Sequence, residues 1–219
     1  MLKLLKTKEF WLNCLFLIAL LVINFIPSIL FGVGIGMGLS NSPFFPYVVS
    51  LLFLASVAII VMLALKRKII TFKWDFLNGR NLAIIFIAFF LMKVVSVVIA
   101  MFMTTDTTAN QEAINQLTSS NSSLLMAVMI VIAAPINEEI IFRASITQLF
   151  FKKHQVAALI VTSVVFGLFH GPTDIPSFLL YSSMGAALSA VYLKTGRIEC
   201  SIALHFLNNG LSFVAMQFI

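Results

Sequence analysis

The stretch EEIIFR (residues 138–143) places two carboxylates and a guanidinium inside a long apolar run. Consecutive residues of an α-helix point about 100° apart, whereas residues four apart share a face. We therefore expect Glu139 to pair with Arg143 as a structural support and Glu138 to lie on another face, with no partner in its own helix. An unpaired carboxylate in hydrocarbon needs water or a partner from another helix, and such carboxylates serve as general bases or acids.

Two histidines and an amide follow in the same apolar half of the chain. His170 ends the stretch VVFGLFH, and His205 precedes Asn209 by four residues, so both share one helix face. Together with Glu138, these side chains could activate a water and stabilise an oxyanion. Glu138, His170 and His205 could instead hold a divalent metal such as zinc, with a water in the open position. The sequence leaves both chemistries open.

Several other proteolytic chemistries lack their residues here. The chain contains no HExxH and no GxGD motif, and its aspartates (Asp75, Asp106 and Asp174) fall between the apolar stretches. No serine stands in a GxSG setting. A zincin helix and an intramembrane aspartyl dyad are thereby excluded, and a rhomboid-like serine site is disfavoured.

The composition is that of a membrane protein. Of 219 residues, 61% are hydrophobic and 10% are charged, whereas soluble domains carry about 25% charged residues. We predict one all-α, polytopic transmembrane bundle over 1–219, with three N-terminal spans within 1–103 and a catalytic four-helix core at 123–218. The seven predicted spans are 10–33, 46–65, 81–103, 123–150, 155–170, 177–193 and 198–218.

Basic residues occupy alternate connections between these spans, which predicts a cytoplasmic N-terminus in the cytoplasmic (plasma) membrane. They are Lys3, Lys6, Lys8, Lys66, Arg67, Lys68, Lys73, Arg80, Lys152, Lys153, Lys194 and Arg197. The net charge of +6 therefore reflects membrane orientation and not nucleic-acid binding. The polar stretch 104–122 is predicted as a loop on the opposite side. We expect the cavity of the site to open towards the cytoplasm.

Straight helices over the predicted spans would separate His170 and His205 by more than about 10 Å in depth, at about 1.5 Å per residue. A shared site needs both side chains within reach of one water. We therefore expect the span boundaries, and not the grouping of these residues, to need revision.

The three motifs resemble those of a known family. EEIIFR matches EExxxR, FGLFH matches FxxxH and HFLNN matches HxxxN of the CPBP family (CAAX protease and bacteriocin-processing enzymes, also called Abi), which is similar to the CAAX prenyl endopeptidase type II. The resemblance implies an intramembrane endopeptidase, often labelled a metalloprotease, in which Glu138 and His170 activate the water. It further implies that His205 and Asn209 form the oxyanion hole and that Arg143 is structural.

The resemblance implies a peptide or membrane-protein substrate within the lipid bilayer, such as a prenylated, leader or membrane-associated peptide. A role in bacteriocin processing or self-immunity is also implied. Two alternatives stay open: a non-catalytic membrane immunity or partner-binding protein, and a proton-coupled carrier. Lys93, halfway along the third predicted span, would favour the carrier if it faced Glu138. The sequence leaves the oligomeric state open.

Overall fold

A computed structural model describes residues 7–218; Lys3 and Lys6 of the predicted basic N-terminal group lie outside that range. Eight helices and two short 3-10 turns account for the fold, and no strand occurs between residues 7 and 218. The all-α prediction is confirmed. The helices are α1 Lys8–Gly36, α2 Phe45–Lys66, α3 Gly79–Ala100, α4 Ala109–Ser120, α5 Ser123–Phe150, α6 Gln155–Phe169, α7 Ile175–Thr195 and α8 Ile198–Met216.

Each of the seven predicted apolar stretches is a helix, and five of these helices (α1, α2, α3, α5 and α7) are long and apolar enough to cross a membrane. Helix α6 has 15 residues and is shorter than a span. Helix α8 has 19 residues. Among the described residues, the polytopic membrane bundle is thus confirmed with five candidate spans.

The polar stretch 104–122 is not the loop that its composition predicted. Residues Ala109–Ser120 form the amphipathic helix α4, which begins after Thr108, whose hydroxyl accepts a hydrogen bond from the Gln111 N–H at 3.1 Å. Ile114 and Leu117 lie three residues apart and pack against the apolar core. This short apolar face and its N-terminal cap stabilise a helix in an otherwise polar segment.

Helix α5 is the central helix of the bundle. In its most apolar window 61% of the residues are buried, against 11–39% for the other candidate spans. Two of its segments, Ala127–Ala133 and Glu139–Ser145, are π-helical, and they flank a regular turn at Ala134–Glu138 that contains Pro135. The motif EEIIFR therefore lies in the most enclosed part of the fold.

Helices α6 and α7 pack closely because glycines face the contact between them. A Cβ atom on Gly185 would lie 3.0 Å from the Cα of Ser163, and one on Gly167 would lie 3.1 Å from the backbone nitrogen of Ser182. Thr162 and Ser189 also share a hydrogen bond of 2.8 Å across this contact. This close packing fixes the end of α6, where His170 is located.

Candidate active site

The predicted pair between Glu139 and Arg143 is present. The Arg143 Nη1 atom lies 3.0 Å from Glu139 Oε1, and both side chains are fully buried. Arg143 also donates to the Gly185 carbonyl at 3.4 Å and lies over the Phe166 ring at 4.1 Å from its centroid. The guanidinium thus joins α5 to α6 and α7, which suits a structural role.

Glu139 has a second set of partners that the sequence did not indicate. Its Oε1 atom lies 2.9 Å from His205 Nδ1, and its Oε2 atom accepts a hydrogen bond from the Ser201 hydroxyl. A carboxylate beside a guanidinium is ionised, so Nδ1 carries a proton and donates it. Ser201 and His205 are four residues apart on α8, and this spacing is the signal that could have grouped them.

Glu138 lies apart from this buried pair, in the wall of a cavity. Its side chain is 21% exposed, and its Oε2 atom lies 4.0 Å from His205 Nε2. Within residues 7–218, that oxygen has no hydrogen-bond partner. Glu138 therefore presents a free carboxylate oxygen towards the histidine that Glu139 holds from the other ring nitrogen.

His170 is held by the end of α6. Its Nδ1 atom lies 2.8 Å from the Phe166 carbonyl oxygen, so Nδ1 is the donor and Nε2 is left to accept. Its ring stacks on Tyr181 at 4.3 Å with 21° between the planes. Gly171, at φ 58°, then turns the chain towards α7.

The turn ends at Asp174, which caps α7 by accepting the Ser177 N–H at 2.7 Å. Hydrogen bonds from the Ser177 hydroxyl and N–H hold the pKa of the Asp174 carboxyl below its usual value. The ends of α6 and α7 are thus both fixed around His170.

Tyr181 is a further residue of the site that sequence reasoning missed. Its hydroxyl lies 2.7 Å from Thr108 Oγ1 and accepts a hydrogen bond from Asn110 Nδ2 at 3.2 Å. The start of α4 is thereby joined, through Tyr181, to the ring of His170. Nothing in the local spacing around Tyr181 marks this role, because the contact depends on the position of α4.

Asn209 is fixed by a carbonyl that the π-helical turns release. The Ala134 N–H bonds the Met129 carbonyl five residues back, so the next donor in that pattern, for Ile130, would be Pro135, which has no N–H. Asn209 Nδ2 donates to the Ile130 carbonyl at 3.0 Å instead. With α-helical spacing the freed carbonyl would instead be that of Val131, four residues before Pro135.

The four predicted catalytic residues line one cavity of about 600 Å³. Glu138, His170, His205 and Asn209 all contribute to its wall, and Lys93 and Tyr181 do so as well. The Phe166 ring lies 4.3 Å from the His170 ring and 5.9 Å from the His205 ring, centroid to centroid. Both histidines line this cavity although α6 and α8 keep almost their predicted bounds, so the expected revision of the span boundaries was wrong.

A second cavity of about 210 Å³ meets the first at Glu138 and His170. It lies between α1, α2, α5 and α6, and its aromatic wall consists of Phe25, Phe53, Phe142 and Phe169. Phe25 and Phe169 stack at 6.2 Å where α1 approaches α6, and both rings are partly exposed on the outer surface of the bundle. Glu138 and His170 therefore lie where the larger cavity, lined by polar and apolar residues, joins the smaller aromatic cavity.

The three residues predicted as metal ligands do not form a ligand cluster. Over the described range 7–218, no three His, Cys, Asp or Glu side chains are grouped so that they could hold a metal ion. The Nδ1 atom of His205 is engaged by Glu139, and its Nε2 atom is 4.0 Å from Glu138.

Comparisons with known proteins find similarity over the region that contains these residues. Residues 120–211 match the family model described as Type II CAAX prenyl endopeptidase Rce1-like. The chain is 27% identical over 161 residues to UPF0177 protein YvdC of Lactococcus lactis subsp. lactis (strain IL1403), which covers 73% of this chain and 61% of the relative.

A second relative is "Putative membrane peptidase YdiL" of Bacillus subtilis (strain 168). It is 39% identical over 79 residues, which cover 36% of this chain and 32% of the relative. The chain thus spans less than two thirds of either relative, and no solved structure matches it. All three motifs fall within the matched range, and the comparisons confirm the predicted resemblance: residues 120–211 match the Rce1-like family of type II CAAX prenyl endopeptidases.

Proposed function

We propose that this protein is a membrane-embedded endopeptidase that hydrolyses a peptide bond with a water activated by Glu138 and His170. The observation that carries the proposal is the free Glu138 carboxylate, which faces the same cavity as His170, His205 and Asn209. The Rce1-like match and the name of the Bacillus subtilis relative support a membrane peptidase.

In the proposed reaction, Glu138 takes one proton from the water, while His170 Nε2 accepts a hydrogen bond from the remaining O–H and orients the attacking oxygen. The new carbon–oxygen bond forms a tetrahedral intermediate with a negatively charged oxygen. Glu138 then gives its proton to the amide nitrogen as the carbon–nitrogen bond breaks, which leaves an amine and a carboxylic acid. The acid passes its proton to His170 Nε2 and from there to water, so the products are a carboxylate and an amine and both residues regain their starting protonation states.

His205 and Asn209 supply the donors for the oxyanion. Asn209 uses one amide hydrogen for the Ile130 carbonyl, so its second is free. The Nε2 atom of His205 lies on the cavity side of the ring, opposite the Nδ1 atom that Glu139 engages. A proton on Nε2 in the transition state would make it the second donor.

The proposed substrates are membrane-associated peptides, including prenylated or leader peptides. The aromatic cavity beside Glu138 suits an apolar group next to the scissile bond. A role in bacteriocin processing or self-immunity stays a prediction from the family resemblance.

We expect Glu138→Ala and His170→Ala each to lower cleavage by about 10²–10⁴-fold, the usual contribution of a general base. The measurement is product formation from a library of N-acylated peptides in vesicles that contain the purified protein, followed by mass spectrometry. Matched controls are Glu112→Ala and His154→Ala, since Glu112 bonds Gln116 on exposed α4 and His154 lies in the α5–α6 connection. Full activity in both site variants would contradict the proposal. Glu138→Gln, used as a trap, identifies the bound natural peptide.

A further inference from the structure

Lys93 is a cation in the wall of the catalytic cavity. It lies in the second half of α3, and it lines the cavity of about 600 Å³ together with Glu138, His170 and His205. Its Nζ atom lies 5.4 Å from the centroid of the Phe89 ring on the same helix. The nearby wall from α3 includes Ser96, Val97 and Ala100, and the Ser96 hydroxyl donates to the Met92 carbonyl at 2.8 Å.

The fold supplies no counter-charge to this lysine. Between residues 7 and 218, Arg143 pairs with Glu139 and Arg197 pairs with Asp75 and Glu199, but no carboxylate lies within 4.0 Å of Lys93. Glu138 and Asp106 line the same cavity without reaching it. An intramembrane cation is costly unless an anion or water accompanies it, so its retention beside a catalytic site calls for a ligand.

A peptide in this cavity can bring one kind of anion, a carboxylate. Lys93 projects from α3, whereas the residues that act on the peptide bond project from α5, α6 and α8. An ammonium on that wall would attract a carboxylate strongly, because both charges would lie inside the helical bundle, where they are screened less than in bulk water. A peptide held in this way would extend from Lys93 across the cavity to Glu138.

We propose that Lys93 binds a carboxylate of the peptide substrate inside the catalytic cavity and so selects peptides that carry one near the cleaved bond. This inference rests on the proposed function, since it assumes that a peptide occupies the cavity. It does not depend on turnover, and binding alone can test it.

The test uses the Glu138→Gln protein in vesicles and an equimolar mixture of two N-acylated peptide libraries, one with free C-terminal carboxylates and one with C-terminal amides. Retained peptides are counted by mass spectrometry. We expect roughly tenfold enrichment of the free acids, in keeping with a hydrogen bond to a charged group. Adding Lys93→Met, which keeps an unbranched side chain but removes the charge, should abolish the enrichment, and Lys93→Arg should preserve it. Arg80→Met, at the start of the same helix and outside the cavity, is the matched control.

The source of the carboxylate is read from the same data. A second informative result is that the retained C-terminal amides are enriched in peptides that contain Asp or Glu, and that this enrichment is lost with Lys93→Met. That result would assign the carboxylate to a side chain and would also support the proposal. Three results would overturn the proposal. The first is equal retention of acids and amides with no enrichment of peptides that contain Asp or Glu. The others are retention no better than by empty vesicles, and enrichment that survives Lys93→Met. Acid enrichment in a protein that cleaves no peptide would leave the Lys93 site standing and would refute the protease.

Discussion

At the scale of single residues, two adjacent and identical side chains occupy opposite environments. Glu139 is fully buried and contacts Arg143, His205 and Ser201, whereas Glu138 has a free oxygen in a cavity. Helical spacing predicted this division, because Arg143 is four residues from Glu139. It could not predict the bond from His205 to Glu139, since the register between α5 and α8 is decided by packing and not by either local sequence.

Glu139 should matter first for stability. Glu139→Gln keeps the size of the side chain but leaves Arg143 buried without a counter-ion, which costs about 3–5 kcal/mol. We expect a clear drop in the thermal unfolding midpoint of the purified protein in micelles, with activity lost in parallel. Glu112→Gln, on the surface of α4, is the control and should leave the midpoint unchanged. A Glu139→Gln protein of unchanged stability but without activity would instead assign Glu139 a direct catalytic role.

At the scale of elements, the site depends on two irregular features. The π-helical turns around Pro135 release the Ile130 carbonyl for Asn209, and the end of the short helix α6 places His170 in the cavity wall. The sequence predicted the apolar extent of α6. It could not show which carbonyl is free near Pro135, because a π-helical turn arises from the fit of α5 to its neighbours.

Helix α4 was not predicted, because Ile114 and Leu117 are the only large apolar residues among its twelve. With the N-cap Thr108, they are the only sequence features that indicate a capped amphipathic helix. In the fold, Thr108 and the first turn of α4 contact Tyr181, which stacks on His170. The helix thus covers the cavity and is tied to a proposed catalytic residue.

Tyr181→Phe should loosen α4 while leaving the stack on His170 intact. The variant loses the hydroxyl that shares a hydrogen bond with Thr108 and accepts one from Asn110, so we expect faster amide hydrogen exchange over residues 104–120. Tyr192→Phe is the matched control, because it removes a hydroxyl that accepts from Gln148 elsewhere in the bundle. Exchange over 104–120 that is equal in both variants would show that Tyr181 does not hold α4.

At the scale of the whole molecule, the basic residues and the cavity mark opposite ends of the bundle. The connections after α2, α5 and α7 hold Arg67, Lys152 and Arg197, while the cavity is lined by Asp106 and Gln111, from the segment between α3 and α5. From the sequence, both the basic connections and the opening of the cavity are expected on the cytoplasmic side. These two expectations conflict, because the cavity and the basic connections lie at opposite ends. Composition predicted the bundle and its charge asymmetry, but the side on which the cavity opens depends on how the helices diverge.

Because positive connections remain in the cytoplasm, we expect the cavity to open on the outer side of the membrane. The test places single cysteines at Asp106, exposed at the cavity, and at Lys153, exposed in a basic connection, in a protein whose free cysteines Cys14 and Cys200 are replaced by alanine. A membrane-impermeant maleimide added to intact cells should label Asp106→Cys at once and Lys153→Cys only after permeabilisation. The reverse pattern would place the cavity in the cytoplasm and invert every helix of the predicted topology. The result also decides from which side of the membrane a substrate carboxylate would reach Lys93, since that lysine lies in the half of α3 nearer the opening of the cavity.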